Sequence, residues 1–239
     1  FDTRGRLIAL TDQANHATTF EYDHLSRLTA VVDALGHRTE YAYDEAGNLV
    51  QQTDANNHVT AYEYDGLNRL TRTTLPLGQA AVREYDPVGN VVSATDYNGN
   101  SIDYAYDAGD RLLSRTYEDA SSVVFTYTPT AQRQSATDSR GATNYIYDVR
   151  DRLLSQTLPD GQSLAYTYDA ASNRTSLTTA VGTTQYSFDE LNRLETVTDP
   201  SSGVTTYHYD AAGNRVLVEL PNGNVEIRGF DDLNRLVSV

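Results

Sequence analysis

The stretch Tyr41-Ala42-Tyr43-Asp44-Glu45-Ala46-Gly47-Asn48-Leu49 contains a pattern that recurs along the whole chain. Its aspartate returns every 21 residues, with two steps of 20. The aspartates are Asp2, Asp23, Asp44, Asp65, Asp86, Asp107, Asp148, Asp169, Asp189, Asp210 and Asp231, and Thr128 fills the one remaining position. A fixed period in this range is typical of a repeat architecture. We therefore predict one continuous array over residues 1–239, and we expect it to be an internal fragment of a longer protein because the chain lacks Met.

Aromatic residues occupy two positions of each repeat. The residue before the aspartate position is always aromatic, and the residue two places earlier is usually aromatic as well. Because side chains alternate along a strand, this spacing puts both rings on one face of a half-buried β-strand. The tyrosines that we assign to this motif are Tyr22, Tyr41, Tyr43, Tyr62, Tyr64, Tyr85, Tyr104, Tyr106, Tyr145, Tyr147, Tyr166, Tyr168, Tyr207 and Tyr209.

Two turns complete each repeat. The first turn begins at the repeat aspartate and includes a residue that accepts positive φ, such as Gly47, Gly89 or Gly213. After a second strand, the second turn follows, as in residues 33–36. Two strands and two turns use the whole period, so no helix fits. The sequence predicts an all-β fold of tandem antiparallel hairpins with about 22 strands, in a sheet that curls because wide sheets twist.

The composition limits the possible partners. The formal net charge is −15, and the 18 Lys and Arg residues are scattered. Nucleic acids and anionic membranes attract clustered basic residues, so neither is expected to bind. No apolar run is long enough to span a bilayer, and the chain has no Cys for a disulfide or a thiolate metal site.

The motif Gly-x-x-x-x-Tyr-x-Tyr-Asp-x-x-Gly-Asn/Arg-Leu, seen in residues 36–49, resembles the YD repeat, also called the RHS repeat. This family includes the shells of bacterial Rhs and wall-associated polymorphic toxins, the C components of Tc toxins, and teneurins. The resemblance implies a β-shell that, in bacterial members, encloses a C-terminal toxin, and it implies a secreted or cell-surface location. Asp86-Pro87-Val88-Gly89 is close to the family's self-cleavage motif Asp-Pro-x-Gly-Leu, but Asn90 follows. We interpret this stretch as an ordinary turn that contains a proline.

The sequence predicts no catalytic, cofactor or metal site, and we expect no enzyme activity. His16, His37 and His58 share one position in three repeats, but repeats ~9.6 Å apart cannot supply ligands to one zinc ion. We interpret the aspartates as turn caps, and calcium binding by them is the alternative. The tyrosines are interpreted as cross-strand packing rather than as a binding surface. Asn173-Arg174-Thr175 matches the glycosylation sequon only because the repeat motif produces it.

Two function hypotheses remain. In the first, the chain is a structural shell segment that encloses or displays another domain, with the C-terminal toxin of an Rhs-type polymorphic toxin as the leading candidate. Its partners are then an intramolecular cargo and the neighbouring repeats of the parent chain. In the alternative, the chain is an extracellular adhesion module that recognises glycans or a cell-surface protein.

One repeat departs from the motif. It has Thr128 for the aspartate, Ala131 for the turn residue and Arg133 where an aliphatic residue is usual, and a step of 20 residues follows it. We predict that the hairpin around residues 125–135 is the most mobile or irregular part of the sheet and the first to be cut by protease.

Overall fold

The computed structural model describes residues 1–239 and contains only strands and turns. By its internal contacts it divides into two compact units, residues 1–122 and 123–239. No helix that could cross a membrane is present. The predicted all-β fold of antiparallel hairpins without helices is confirmed.

The first unit contains eleven strands, and each pairs antiparallel with the next strand along the chain. The strands are β1 Ala9–Thr11, β2 Ala17–Tyr22, β3 Leu28–Val32, β4 Arg38–Tyr43, β5 Leu49–Thr53, β6 Val59–Tyr64, β7 Leu70–Thr74, β8 Ala80–Tyr85, β9 Val91–Thr95, β10 Ser101–Tyr106 and β11 Leu112–Tyr117.

The second unit repeats this arrangement, and its first strand begins at the last residue of the first unit. Strands β12 to β22 pair in chain order, and β23 and β24 form a separate hairpin. They are β12 Ser122–Tyr127, β13 Arg133–Asp138, β14 Gly141–Tyr147, β15 Leu153–Thr157, β16 Ser163–Tyr168, β17 Arg174–Thr179, β18 Gly182–Phe188, β19 Leu194–Thr198, β20 Val204–Tyr209, β21 Arg215–Glu219, β22 Val225–Ile227, β23 Gly229–Phe230 and β24 Leu236–Ser238.

The two shorter repeats differ from the others in the second turn. In a 21-residue repeat, Thr53 pairs with Val59 and the turn between them has five residues. In the shorter repeats the equivalent pairs are Thr137 with Ala142 and Thr178 with Thr183, so each turn has four residues and is one residue shorter. The missing residue after the irregular repeat is therefore in the second turn, away from Thr128.

The sheet has very little enclosed core. Only Ala30, Thr73, Phe125 and Val218 are buried, with relative exposures of 0%, 6%, 5% and 6%. The motif tyrosines are half-buried, while the residues between them, such as Ala42, are exposed. This alternation confirms that the rings share one face, which we call the aromatic face. It also means that packing on this face provides only part of the stability.

Candidate functional site

The first turn is organised by its aspartate, and the repeat from Asp65 shows the arrangement. The backbone closes the turn with bonds from Asp65 N to the Arg69 carbonyl and from Asn68 N to the Asp65 carbonyl, both 3.0 Å. One carboxylate oxygen accepts the amides of Leu67 at 2.9 Å and Arg69 at 3.0 Å, and the other accepts Arg69 Nε at 2.6 Å. The amide of Arg69 is the main cause that holds the pKa of Asp65 below its usual value. The carboxylate is therefore engaged within its own turn.

The arginine of this turn also reaches the next repeat. Arg69 donates from one terminal nitrogen to the carbonyl of Asp86 at 2.8 Å, and its guanidinium lies 4.7 Å from the centre of the Tyr85 ring. One side chain thus joins its own aspartate to the backbone and the ring of the neighbouring hairpin. The same two contacts are made by Arg6, Arg27, Arg152 and Arg193.

The tyrosine before the aspartate closes the same junction. The ladder between β3 and β4 ends at the pair Ala30 and Glu40, before the first turns are reached. Beyond this point the Tyr43 hydroxyl donates to the Leu28 carbonyl at 2.8 Å. The Leu28 carbonyl lies beyond the β3–β4 ladder, so the Tyr43 side chain, and not the backbone of β4, supplies its hydrogen bond there. The same bond is made by Tyr22, Tyr64, Tyr85, Tyr106, Tyr147, Tyr168 and Tyr209.

The repeats use two kinds of junction, one built on Arg and the other on Asn, and these alternate between Arg27 and Arg111. Where Asn replaces the arginine, its amide bridges two turns: Asn48 donates to Asp44 at 2.9 Å and to the side-chain oxygen of Asn68 at 2.8 Å. Asn90, Asn173 and Asn214 bond in the same way to Asp110, Asn192 and Asn234. After Arg27 and Arg69, the matching turn residues are Gly47 and Gly89. This pairing was not predicted from the sequence, although the alternation of Arg and Asn over two repeats indicates it.

The second turn that begins at Asp33 has the same construction as the first turns. Asp33 N donates to the His37 carbonyl and Gly36 N donates to the Asp33 carbonyl, both at 3.0 Å. The Asp33 carboxylate contacts the backbone amide of His37 at 2.9 Å and its Nδ1 at 2.8 Å. His16 and His58 contact their own aspartates at 3.1 and 3.0 Å. Each histidine therefore belongs to its own turn, and no group of three or more His, Asp or Glu side chains is placed to hold a metal ion.

The motif glycines lie at the positive-φ position of the first turn. Gly47, Gly89 and Gly213 have φ values of 95°, 108° and 89°, which an L-residue seldom adopts. Asp86 begins an ordinary first turn, whose Gly89 amide donates to the Asp86 carbonyl at 3.2 Å. The Asn173 amide is used between Asp169 and Asn192, at 2.8 and 2.9 Å. The motif residues therefore form the first turns and the contacts between neighbouring hairpins.

The irregular hairpin keeps this turn. Thr128 N donates to the Gln132 carbonyl at 2.8 Å, the Thr128 hydroxyl accepts the Gln132 amide at 3.1 Å, and Ala131 takes a φ of 67°. The guanidinium of Arg133 lies 4.6 Å from the centre of the buried Phe125 ring. The prediction of an irregular backbone is therefore wrong, because a hydroxyl replaces the carboxylate as acceptor. Mobility and protease sensitivity at this hairpin stay predictions.

The comparisons with known proteins agree with this repeated arrangement of hairpins and turns. The RHS Repeat family model matches residues 1–39, 23–57, 43–80, 85–122, 147–184 and 188–225, which is most of the chain. The chain belongs to the RHS-repeat family. The family that matches is a repeat family, and no catalytic family is indicated. No curated relative matches this RHS-repeat chain.

Two solved structures have a similar fold. The crystal structure of TcdB2-TccC3-Cdc42 matches with a TM-score of 0.53 and 18% identity, over 99% of this chain and 16% of that one. A structure of the Photorhabdus luminescens Tc holotoxin pore, with a mutation in TccC3, matches with a TM-score of 0.56 and 17% identity, over 99% and 16%. The RHS-repeat chain therefore spans about a sixth of the length of these relatives, and at this identity the likeness shows the fold alone.

Proposed function

We propose that this RHS-repeat chain is part of a structural shell that encloses or displays another domain, with a C-terminal toxin as the first candidate. The observation that supports this proposal is that contacts between neighbouring hairpins hold the array together, while its aromatic face is left half-buried. A compact globular domain buries its apolar face against a second layer. Here each hairpin is completed by its neighbours alone, which is the property that a thin wall requires.

The proposed partners and location follow from this role. The cargo would be another part of the parent chain, and the adjoining surfaces would be further repeats. A secreted or cell-surface location is proposed because one of the structures similar to this chain is a Tc holotoxin pore. No catalytic step is assigned to this segment, and its turn aspartates, such as Asp65 and Asp33, are engaged within their own turns.

The test uses the full parent protein and limited proteolysis. In the intact protein, the domain that follows the repeats should be protected. Asp44→Lys removes the acceptor that organises one turn, and it should speed cleavage of that domain. Glu45→Lys is the matched control, because Glu45 is the exposed next residue and the charge change is the same. A parent with no domain beyond the repeats, or equal cleavage in all three proteins, would contradict the proposal.

A further inference from the structure

Three residues outside the repeat motif meet at one cavity of the first unit. Of the 18 tyrosines in the chain, only Tyr97 and Tyr117 lie outside the two aromatic positions of the repeat. Arg83 occupies the first of those positions, where most repeats have Tyr or Phe. All three side chains line a cavity of about 690 Å³. Their convergence is not explained by the repeat itself.

The cavity lies on the aromatic face and crosses four strands. Arg83 of β8 pairs with Ala94 of β9, Ala94 pairs with Ile102 of β10, and Ile102 pairs with Tyr117 of β11. The small residues Ala81 and Ala94 also line the cavity. Without a ring at position 83, this part of the face stays open. The volume is within the range of small-molecule sites, which is roughly 300–1,000 Å³.

The charge of Arg83 is unpaired. The structure shows no hydrogen bond or ion pair for its exposed guanidinium, whereas Arg228, in the same repeat position, is bonded to Glu226. The cavity does contain carboxylates, but Asp96 is held by the Asn100 side chain at 2.9 Å and Asp119 by the Ser121 amide at 2.9 Å. These carboxylates belong to second turns, at the end of the cavity away from the middle of β8. Arg83 is thus available to an anion from outside.

The chemistry of the lining indicates the class of ligand. An unpaired guanidinium binds a carboxylate with two parallel bonds. Tyrosine rings offer flat apolar surfaces with a hydroxyl at the edge, and Asn100 and the turn carboxylates can bond ligand hydroxyls. Asp96, Glu118 and Asp119 disfavour ligands with several negative charges. We propose that this cavity binds a saccharide whose ring carries a single carboxylate, with the carboxylate on Arg83 and the ring against Tyr97 and Tyr117.

The test is a titration of the 239-residue chain with sodium glucuronate, glucose and acetate, followed by saturation-transfer NMR. Glucuronate should bind at least tenfold more tightly than glucose or acetate. Arg83→Gln should abolish the preference for glucuronate over glucose, and Tyr97→Ala should weaken the binding of both sugars. Circular dichroism checks that each variant keeps its β structure.

Arg228→Gln is the control, because it removes an arginine from the same repeat position without touching the cavity lining. It should leave glucuronate binding unchanged. Equal binding of glucuronate and glucose would overturn the proposal, as would Arg83→Gln binding glucuronate as the parent does. Acetate that binds as tightly as glucuronate would show a bare anion site, and the absence of all binding would also reject the saccharide.

Discussion

At the residue scale, the hydroxyl of the tyrosine before each aspartate should contribute directly to stability. Tyr43→Phe removes only the bond to the Leu28 carbonyl, which lies where the ladder has ended. We expect a loss of about 0.5–1.5 kcal/mol in the free energy of unfolding, as for other intramolecular hydrogen bonds. Tyr41→Phe is the control, because the structure shows no hydrogen-bond partner for the Tyr41 hydroxyl. Urea denaturation measures both, and equal losses would mean that the hydroxyl bond is not the cause.

The alternation of Arg and Asn junctions makes a second prediction at this scale. In an arginine junction the matching turn residue is small: a Cβ on Gly89 would lie 3.9 Å from a terminal nitrogen of Arg69. Asn48→Arg should therefore destabilise the chain, since the Asn68 side chain occupies that space. Asn68→Gly should also destabilise it, because Asn48 loses its partner.

The double variant Asn48→Arg/Asn68→Gly recreates the junction between Arg27 and Gly47. We expect it to recover most of the lost stability, with a coupling energy of about 0.5 kcal/mol or more in a double-mutant cycle. Additive losses would show that the two positions act independently.

At the scale of one element, restoring the motif in the hairpin around Thr128 should stabilise the chain at the turn but not at the strand. Thr128→Asp supplies the second acceptor oxygen that other first turns have, and Ala131→Gly relieves a φ of 67°. Together they should raise the free energy of unfolding by about 1 kcal/mol. Adding Arg133→Leu should give no further gain, because the guanidinium already packs on Phe125.

Thermal unfolding of the double and triple variants, with limited proteolysis near residue 130, checks this prediction. Ala212→Gly, at an exposed turn position next to a glycine that already has positive φ, controls for general effects of glycine. A triple variant that is clearly more stable than the double would mean that Arg133 strains the strand. First cleavage elsewhere would show that the hairpin is no weaker than its neighbours.

At the scale of the whole molecule, the turn aspartates should make the fold sensitive to acid. Bonds from the Arg69 and Arg152 amides lower the pKa of Asp65 and Asp148, and the Asn48 side chain lowers the pKa of Asp44. A carboxyl whose pKa is lower in the folded state stabilises the fold above its unfolded pKa. That contribution is lost as the pH falls through the folded pKa, so the loss begins below about pH 4.

We therefore expect Tm to change little between about pH 5 and 8 and to fall steeply towards pH 3. The histidine–aspartate pairs are exposed and add little to the stability of the fold. Thermal melts at constant ionic strength measure the profile. Asp65→Asn should be less stable than the parent at pH 7, with a smaller difference at pH 3. A difference that does not depend on pH would exclude the carboxylate charge as the cause.

The period, the strands, the turns and the shared face of the tyrosines can all be predicted from the sequence alone. These features depend on residues within one hairpin: side chains alternate along a strand, and an aspartate bonds amides two and four places ahead. Only the tertiary structure places the missing residue of the two shorter steps in the second turn. It also shows the cavity at Arg83 and the contacts between hairpins, such as Arg69 on Tyr85 and Asn48 with Asn68. They join residues in different hairpins, and those contacts depend on strand register and side-chain reach, which no local pattern specifies.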